Sequence, residues 1–140
     1  MTTYDEIWET FLTICGYDRS EIPQANETIY PLIKNGVRLY NQLAKKYDTR
    51  IQSNIVADDS LESLNVKLKE STELMILANL ICSAFELNKY TEFTSVRSTF
   101  SKETGISNYK SQCQAREYAI QSFKDEAIRI VEDEIDSFDM

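Results

Sequence analysis

The chain has 140 residues, a length typical of one folded domain, and 42% of them are hydrophobic, which argues against wholesale disorder. Its formal net charge is −8, and residues 125–140 carry seven acidic residues against the single Arg129. A protein that wraps DNA needs clustered lysine and arginine, so this charge excludes conventional DNA binding. Only three glycines and two prolines are present, which favours helices over a turn-rich β architecture.

The N-terminal segment predicts a short amphipathic helix over residues 4–15. Thr3 and Glu6 fit a capping box, in which each side chain satisfies a free backbone N–H of the other residue. Gly16 follows the apolar stripe and suits a left-handed helix end. The segment lacks a basic region followed by an apolar one, so we expect no signal peptide.

Apolar residues three and four apart predict a second helix over residues 27–47. Its expected N-cap is Asn26 or Thr28, and Pro31 then falls in the first turn, where proline is tolerated. Gly36 lies inside the stripe, and we favour a merely tolerated glycine over a close helix crossing there. Lysine and arginine cluster on this helix, which we interpret as ion-pair partners at a subunit interface or as a solvated face; they are Lys34, Arg38, Lys45 and Lys46.

Residues 48–69 break the helical period and predict a long loop that gains order against its neighbours, with a short β-hairpin around residues 58–60 as one option. A nearly all-apolar helix over 71–89 should form the centre of the core. Residues 90–105 are rich in serine and threonine and predict a second long linker before a last helix over 108–136. We therefore predict an all-α, single-domain bundle of four helices that ends in an acidic tail.

No residue pattern in the sequence points to catalysis. Histidine is absent, and so are the glycine-rich nucleotide loops and the nucleophile elbow. We expect neither an enzyme nor a cofactor or metal site, and carboxylate pairs such as Asp58 and Asp59 are interpreted as a solvated face. Cys15, Cys82 and Cys113 show no paired spacing, so three reduced thiols are expected. The longest apolar stretch is too short to span a bilayer.

Five stretches of the chain match the pattern of one known family when they are taken together. The opening Tyr4–Leu12 leads to Ile22-Pro23 and the helix Tyr30–Tyr47, and the asparagine-containing Leu61–Leu68 then precedes Glu73–Ala78. In this order they resemble the head–tail connector (adaptor, or head completion) proteins of tailed bacteriophages. The similarity spans nearly the whole chain.

The resemblance implies a structural virion protein of the phage neck that is made in the bacterial host cytoplasm. Its partners would be the portal protein, a further neck or tail component, and other copies of itself in a ring, usually of twelve. Such a ring extends the channel through which DNA passes without sequence-specific binding, and it offers the tail an attachment platform. The resemblance implies no membrane partner.

Two groups of residues are candidates for these contacts. We expect the acidic tail to contact the portal or a neighbouring subunit through Asp125, Glu132, Asp133, Glu134, Ile135, Asp136 and Phe138. We expect the two linkers to form subunit interfaces through Arg50, Ile51, Ile55, Tyr90, Phe93 and Phe100. Deletion of residues 125–140 should leave a folded helical core and abolish incorporation into heads.

Two alternatives from other classes remain open at this point. One is a small acidic inhibitor that mimics DNA, which would be a monomer or dimer with carboxylates spaced like phosphates. The other is a helical regulatory or scaffold module of bacterial origin that binds its partner by placing a helix in a groove.

Overall fold

Helices dominate the computed structural model, which describes residues 1–17, 20, 22–46, 51–104 and 106–139. Within the helices, the side chains of residues 92–104, 106–112 and 134–139 lie outside that description. The described residues form four helices and one two-stranded hairpin, which confirms the expected all-α bundle. The elements are α1 (Tyr4–Cys15), α2 (Asn26–Lys46), β1 (Ala57–Asp58), β2 (Ser63–Leu64), α3 (Glu73–Thr104) and α4 (Ile106–Asp139).

Local capping holds both ends of α1, but the described hydrogen bonds include only the Thr3 half of the predicted capping box. The Thr3 side chain accepts a hydrogen bond from the Glu6 backbone N–H at 3.2 Å. At the other end Gly16 has φ 65° and donates its N–H to the Leu12 carbonyl at 3.2 Å. Glycine suits this left-handed conformation because it has no Cβ. The inward face of the helix buries Ile7 and Phe11 completely.

The start of α2 differs from the sequence expectation in two details. The Ala25 carbonyl, rather than a side chain of Asn26 or Thr28, accepts the first backbone N–H groups, from Thr28 and Ile29 at 3.0 Å each. Because the helix begins at Asn26, Pro31 lies in its second turn, and the expected first-turn placement is wrong. Pro31 lacks an N–H, so one intrahelical bond is missing there.

Gly36 marks a close crossing of α2 and α3. It is buried, and a Cβ at this position would overlap Cγ1 of Ile81 and lie 3.2 Å from its Cδ1. The interpretation of Gly36 as a merely tolerated glycine is therefore wrong. Closer packing of two buried helices offsets the loss of about 1 kcal/mol in helix propensity relative to alanine.

The second long linker predicted over residues 90–105 is wrong, because α3 continues as a helix to Thr104. Serine and threonine cost only tenths of a kcal/mol in a helix interior, and neither glycine nor proline interrupts α3. The helix packs antiparallel against α4: the Ser83 hydroxyl donates to the Ile120 carbonyl at 3.0 Å, and the Tyr90 hydroxyl to Glu117 at 2.8 Å.

The first half of α3 forms the centre of the core, as predicted. Ile76, Leu77 and Ile81 are fully buried, and α1, α2 and α4 contribute partners such as Phe11, Ile33 and Val131. Among the described residues, none of the helices combines the length and the apolarity that a membrane crossing requires.

A disulfide between Cys15 and Cys82 joins the end of α1 to the first third of α3, with the two Cα atoms 6.3 Å apart. The expectation of three reduced thiols is therefore wrong for two of them, and Cys113 is free. The two bonded residues lie 67 positions apart, so their pairing depends on where α1 packs on α3 rather than on any local spacing.

The loop between α2 and α3 is anchored in the core, as expected. Its apolar side chains are buried at Ile51, Ile55, Leu64 and Leu68. The hairpin pairs Ala57 with Leu64 and Asp58 with Ser63. The N-terminus runs beside it, since Thr2 accepts the Leu64 N–H at 2.8 Å and donates its own N–H to Val66 at 3.0 Å.

Candidate functional site

A groove of about 670 Å³ lies between α2 and the first part of this loop. Val37, Ala44 and Ile55 contribute its apolar floor, and all three are buried. No carboxylate is among the described residues that line the groove, and three of them are basic. Besides the floor, the lining residues are Lys34, Arg38, Asn41, Gln42, Lys45, Ser53, Asn54, Val56 and Ala57.

Hydrogen bonds hold the loop wall of the groove in place. The Asn41 side chain donates to the Ile55 carbonyl at 2.9 Å and accepts the Ile55 N–H at 3.0 Å. Asn65 holds the next residue in a similar way. Its side chain accepts the Val56 N–H at 2.9 Å, and its backbone N–H donates to the Val56 carbonyl at 3.0 Å. The groove is therefore preformed and does not depend on a bound partner for its shape.

The three cations of the groove differ in their partners. Lys34 forms an ion pair with Asp59, whose other hydrogen-bond donor is the Tyr4 hydroxyl at 2.7 Å. Lys34, followed by Tyr4, holds the pKa of Asp59 below its usual range. Arg38 and Lys45 are exposed, and neither forms an ion pair with any other described residue. Two positive charges thus remain available at the groove.

The C-terminal half of α4 presents carboxylates on one side and core residues on the other. Arg129 is bonded to Glu126 and Asp133, and this contact lowers the pKa of Glu126. The candidate acidic residues whose side chains are described, Asp125, Glu132 and Asp133, are all exposed. The remaining tail candidates, Glu134, Ile135, Asp136 and Phe138, lie on α4 or at its end, but their side chains are outside the described part.

Ala127 and Val131 occupy the opposite side of this stretch and are fully buried. Deletion of residues 125–140 would remove both from the core. We therefore now expect this deletion to destabilise the helical core, in place of the earlier expectation that the core stays folded.

The residues predicted as linker contacts fall into different environments. Arg50 lies outside the described residues. Ile51 and Ile55 are in the core, with exposed fractions of 7% and 2%, so they anchor the loop to the core. Tyr90, Phe93 and Phe100 lie in α3 and not in a linker, and the side chains of both phenylalanines are outside the description. The Glu117 carboxylate accepts a hydrogen bond from the Tyr90 hydroxyl, and this bond raises the pKa of Tyr90 to about 12.

Sequence reasoning missed two exposed apolar side chains of the loop, one of which, Val56, lines the groove. Val56 is 58% exposed and Leu61 is 64% exposed, although their neighbours Ile55 and Leu64 are buried. Composition does not distinguish these four, because the fold of the loop decides which side chains point inward. In the described part of the chain no group of three or more side chains is placed to hold a metal ion.

Comparison with known proteins identifies the origin of the chain. It is 36% identical over 131 residues to the SPbeta prophage-derived uncharacterized protein YomZ of Bacillus subtilis strain 168, and the alignment covers 94% of each protein. The model of the YomZ prophage protein family matches residues 1–135. This chain belongs to the YomZ family. No solved structure matches it to a significant degree.

Membership of the YomZ family makes this a phage-derived protein, which confirms the phage origin expected from the resemblance. The name of the YomZ family specifies no role in the neck, so the connector role stays a prediction. The match includes the whole groove and the acidic residues of α4 up to Glu134, whereas residues 136–140 lie beyond it.

Proposed function

We propose that this YomZ-family protein is a structural, non-enzymatic component of the phage neck. In this proposal it forms a ring between portal and tail, extends the DNA channel and provides the platform to which the tail attaches. It is made in the bacterial cytoplasm and acts in the virion, without a membrane partner. One observation carries the proposal: a single chain presents two unlike surfaces, a cationic groove on α2 and exposed carboxylates on α4.

Two unlike surfaces are what a cyclic assembly requires. A ring of identical subunits uses heterologous contacts, in which one patch of each subunit meets a different patch of the next. Opposite charges on the two patches favour contact between different patches and disfavour contact between like ones. A molecule with a single self-complementary patch would stop at a dimer.

The overall charge also fits a channel for DNA. With a net charge of −8, the protein repels the phosphate backbone at long range. A channel wall with this charge forms few phosphate contacts, so it does not retain the DNA that passes through it.

Light scattering and negative-stain imaging test this proposal. The full-length protein is measured alone and with the portal protein of the same phage, and an unrelated portal serves as the control. We expect a ring with an open channel on the matching portal only. A compact monomer that does not bind the portal would overturn the proposal.

The exposed carboxylates Asp125, Glu132 and Asp133 favour a second candidate function, an acidic inhibitor that mimics DNA. The same experiment separates the two functions when a nucleic-acid-binding protein is added. A monomer that binds this protein in competition with duplex DNA would support the inhibitor.

A further inference from the structure

We infer that the groove on α2 receives the acidic C-terminal segment, residues 132–139, of a second copy of this chain. The inference rests on the proposed function and names the contact between neighbouring subunits of the ring. Each copy would give its own tail to one neighbour and accept the tail of the other.

The first argument is charge complementarity. Arg38 and Lys45 stand exposed at the groove, and no ion pair within the described residues neutralises them. Residues 132–139 carry five acidic side chains and no basic one. Within one molecule the tail is thus the most acidic short segment, and the groove is a concave surface lined by cations alone among its charged residues.

The second argument is the match of apolar content. The groove has a floor that includes Val37 and Ala44, and the exposed Val56 stands in its wall. The tail contains Ile135 and Phe138 among its acids, so it brings apolar groups together with its charge. Exposed ion pairs contribute little affinity by themselves. In this contact the apolar residues stabilise the complex, and the charges select the partner and its orientation.

The third argument concerns how the two parts are presented. The pair of hydrogen bonds between Asn41 and Ile55 fixes the groove before any partner arrives. The buried Ala127 and Val131 hold α4 in its own core, and the helix continues without a break to Asp139. Because the tail is part of this helix, it is presented as a preformed amphipathic segment, which reduces the entropy lost on binding.

Charge reversal on each side of the contact tests the inference in the full-length protein. The groove variant carries Arg38→Glu and Lys45→Glu. The tail variant carries Glu132→Lys, Glu134→Lys, Asp136→Lys and Asp139→Lys, which change the net charge of residues 132–139 from −5 to +3. The matched control reverses two exposed lysines outside the groove, Lys67→Glu and Lys69→Glu. Sedimentation velocity measures association over a range of protein concentrations at low and high salt, and circular dichroism checks that each variant is folded.

We expect the unsubstituted protein and the control to associate, more strongly at low salt. Each variant alone should associate at least about tenfold more weakly, because like charges then face each other. An equal mixture of the two variants should recover association, since the acidic groove of one meets the basic tail of the other. This recovery does not occur if the substitutions merely disturb the fold.

Three results would overturn the inference: an unsubstituted protein that stays monomeric at every concentration, a groove variant that associates normally, or a mixture that does not recover. A fluorescent DNA duplex that binds the unsubstituted protein but not the groove variant, with self-association unchanged, would instead assign the groove to nucleic acid.

Imaging with the portal keeps the two proposals separate. Rings on the portal that persist in the groove variant would refute this contact and leave the neck function standing. Charge-dependent self-association of a protein that does not bind the portal would refute the neck function and leave the contact between groove and tail standing.

Discussion

Glu73 is a buried carboxylate that ties the long loop to the start of α3. Only 1% of its surface is exposed, and it accepts backbone N–H groups from Gln52 at 2.6 Å and Lys69 at 2.9 Å. As the first residue of α3 it also lies at the positive end of the helix dipole. Burial, and then the neighbouring Glu73 charge, raise the pKa of Tyr40 above its usual range. Backbone N–H groups thus stabilise the negative charge of the Glu73 carboxylate.

Replacement of Glu73 by glutamine should lower the free energy of unfolding by about 1–3 kcal/mol, because an amide NH₂ then faces a backbone N–H that it cannot accept. Urea denaturation followed by circular dichroism measures the change. The exposed Glu70→Gln is the control and should change stability by less than about 0.5 kcal/mol. Equal losses in both variants would contradict a special role for Glu73.

Gly36→Ala tests the close helix crossing. Alanine is the better helix former by about 1 kcal/mol, yet we expect a net loss of roughly 1–3 kcal/mol because the new methyl group overlaps Ile81. In an Ile81→Ala background the same substitution should cost less, since the obstructing side chain is gone. Urea denaturation of the four proteins gives the coupling between the two positions. An identical cost in both backgrounds would mean that the crossing does not constrain residue 36.

At the scale of elements, the disulfide determines how firmly α1 is held on α3. A bond between residues 67 positions apart restricts the unfolded chain and should stabilise the fold by roughly 2–4 kcal/mol. We expect a reductant to lower the unfolding free energy by this amount. The variant that combines Cys15→Ser and Cys82→Ala should have the same free energy of unfolding as the reduced protein, and a reductant should not change this value.

Thiol titration checks the same element independently. The denatured, unreduced protein should show one reactive thiol, that of Cys113, and the reduced protein should show all three. Three reactive thiols without reductant would contradict the bond between α1 and α3.

At the scale of the whole molecule, the length of α4 that assembly requires differs from the length that folding requires. A chain that ends after Asp133 keeps the buried Ala127 and Val131, so we expect it to fold with nearly unchanged stability but to fail to form rings on the portal. Removal of residues 125–140 should instead lower the free energy of unfolding by about 2–5 kcal/mol, because core side chains are lost. Thermal melts and incorporation into heads measure the two effects. Normal incorporation of the shorter chain would show that the tail is dispensable.

The charged residues of the candidate site could be predicted from the sequence, but the groove could not. Lysine and arginine on one predicted helix and acids in one terminal segment are local facts. The second wall of the groove depends on contacts between residues far apart in the chain. Asn41 holds Ile55 across 14 positions, and Glu73 holds Gln52, in the same loop, across 21 positions. No local pattern encodes contacts of that separation.

The sequence by itself determined the helical class, the limits of α1 and the central place of α3, because capping residues and apolar periodicity act within a few residues of one another. Tertiary packing alone decided the extension of α3 to Thr104, the role of Gly36 and the pairing of Cys15 with Cys82. Each of these depends on which helix lies alongside. Serine and threonine permit either a linker or a helix, and contact with α4 selects the helix.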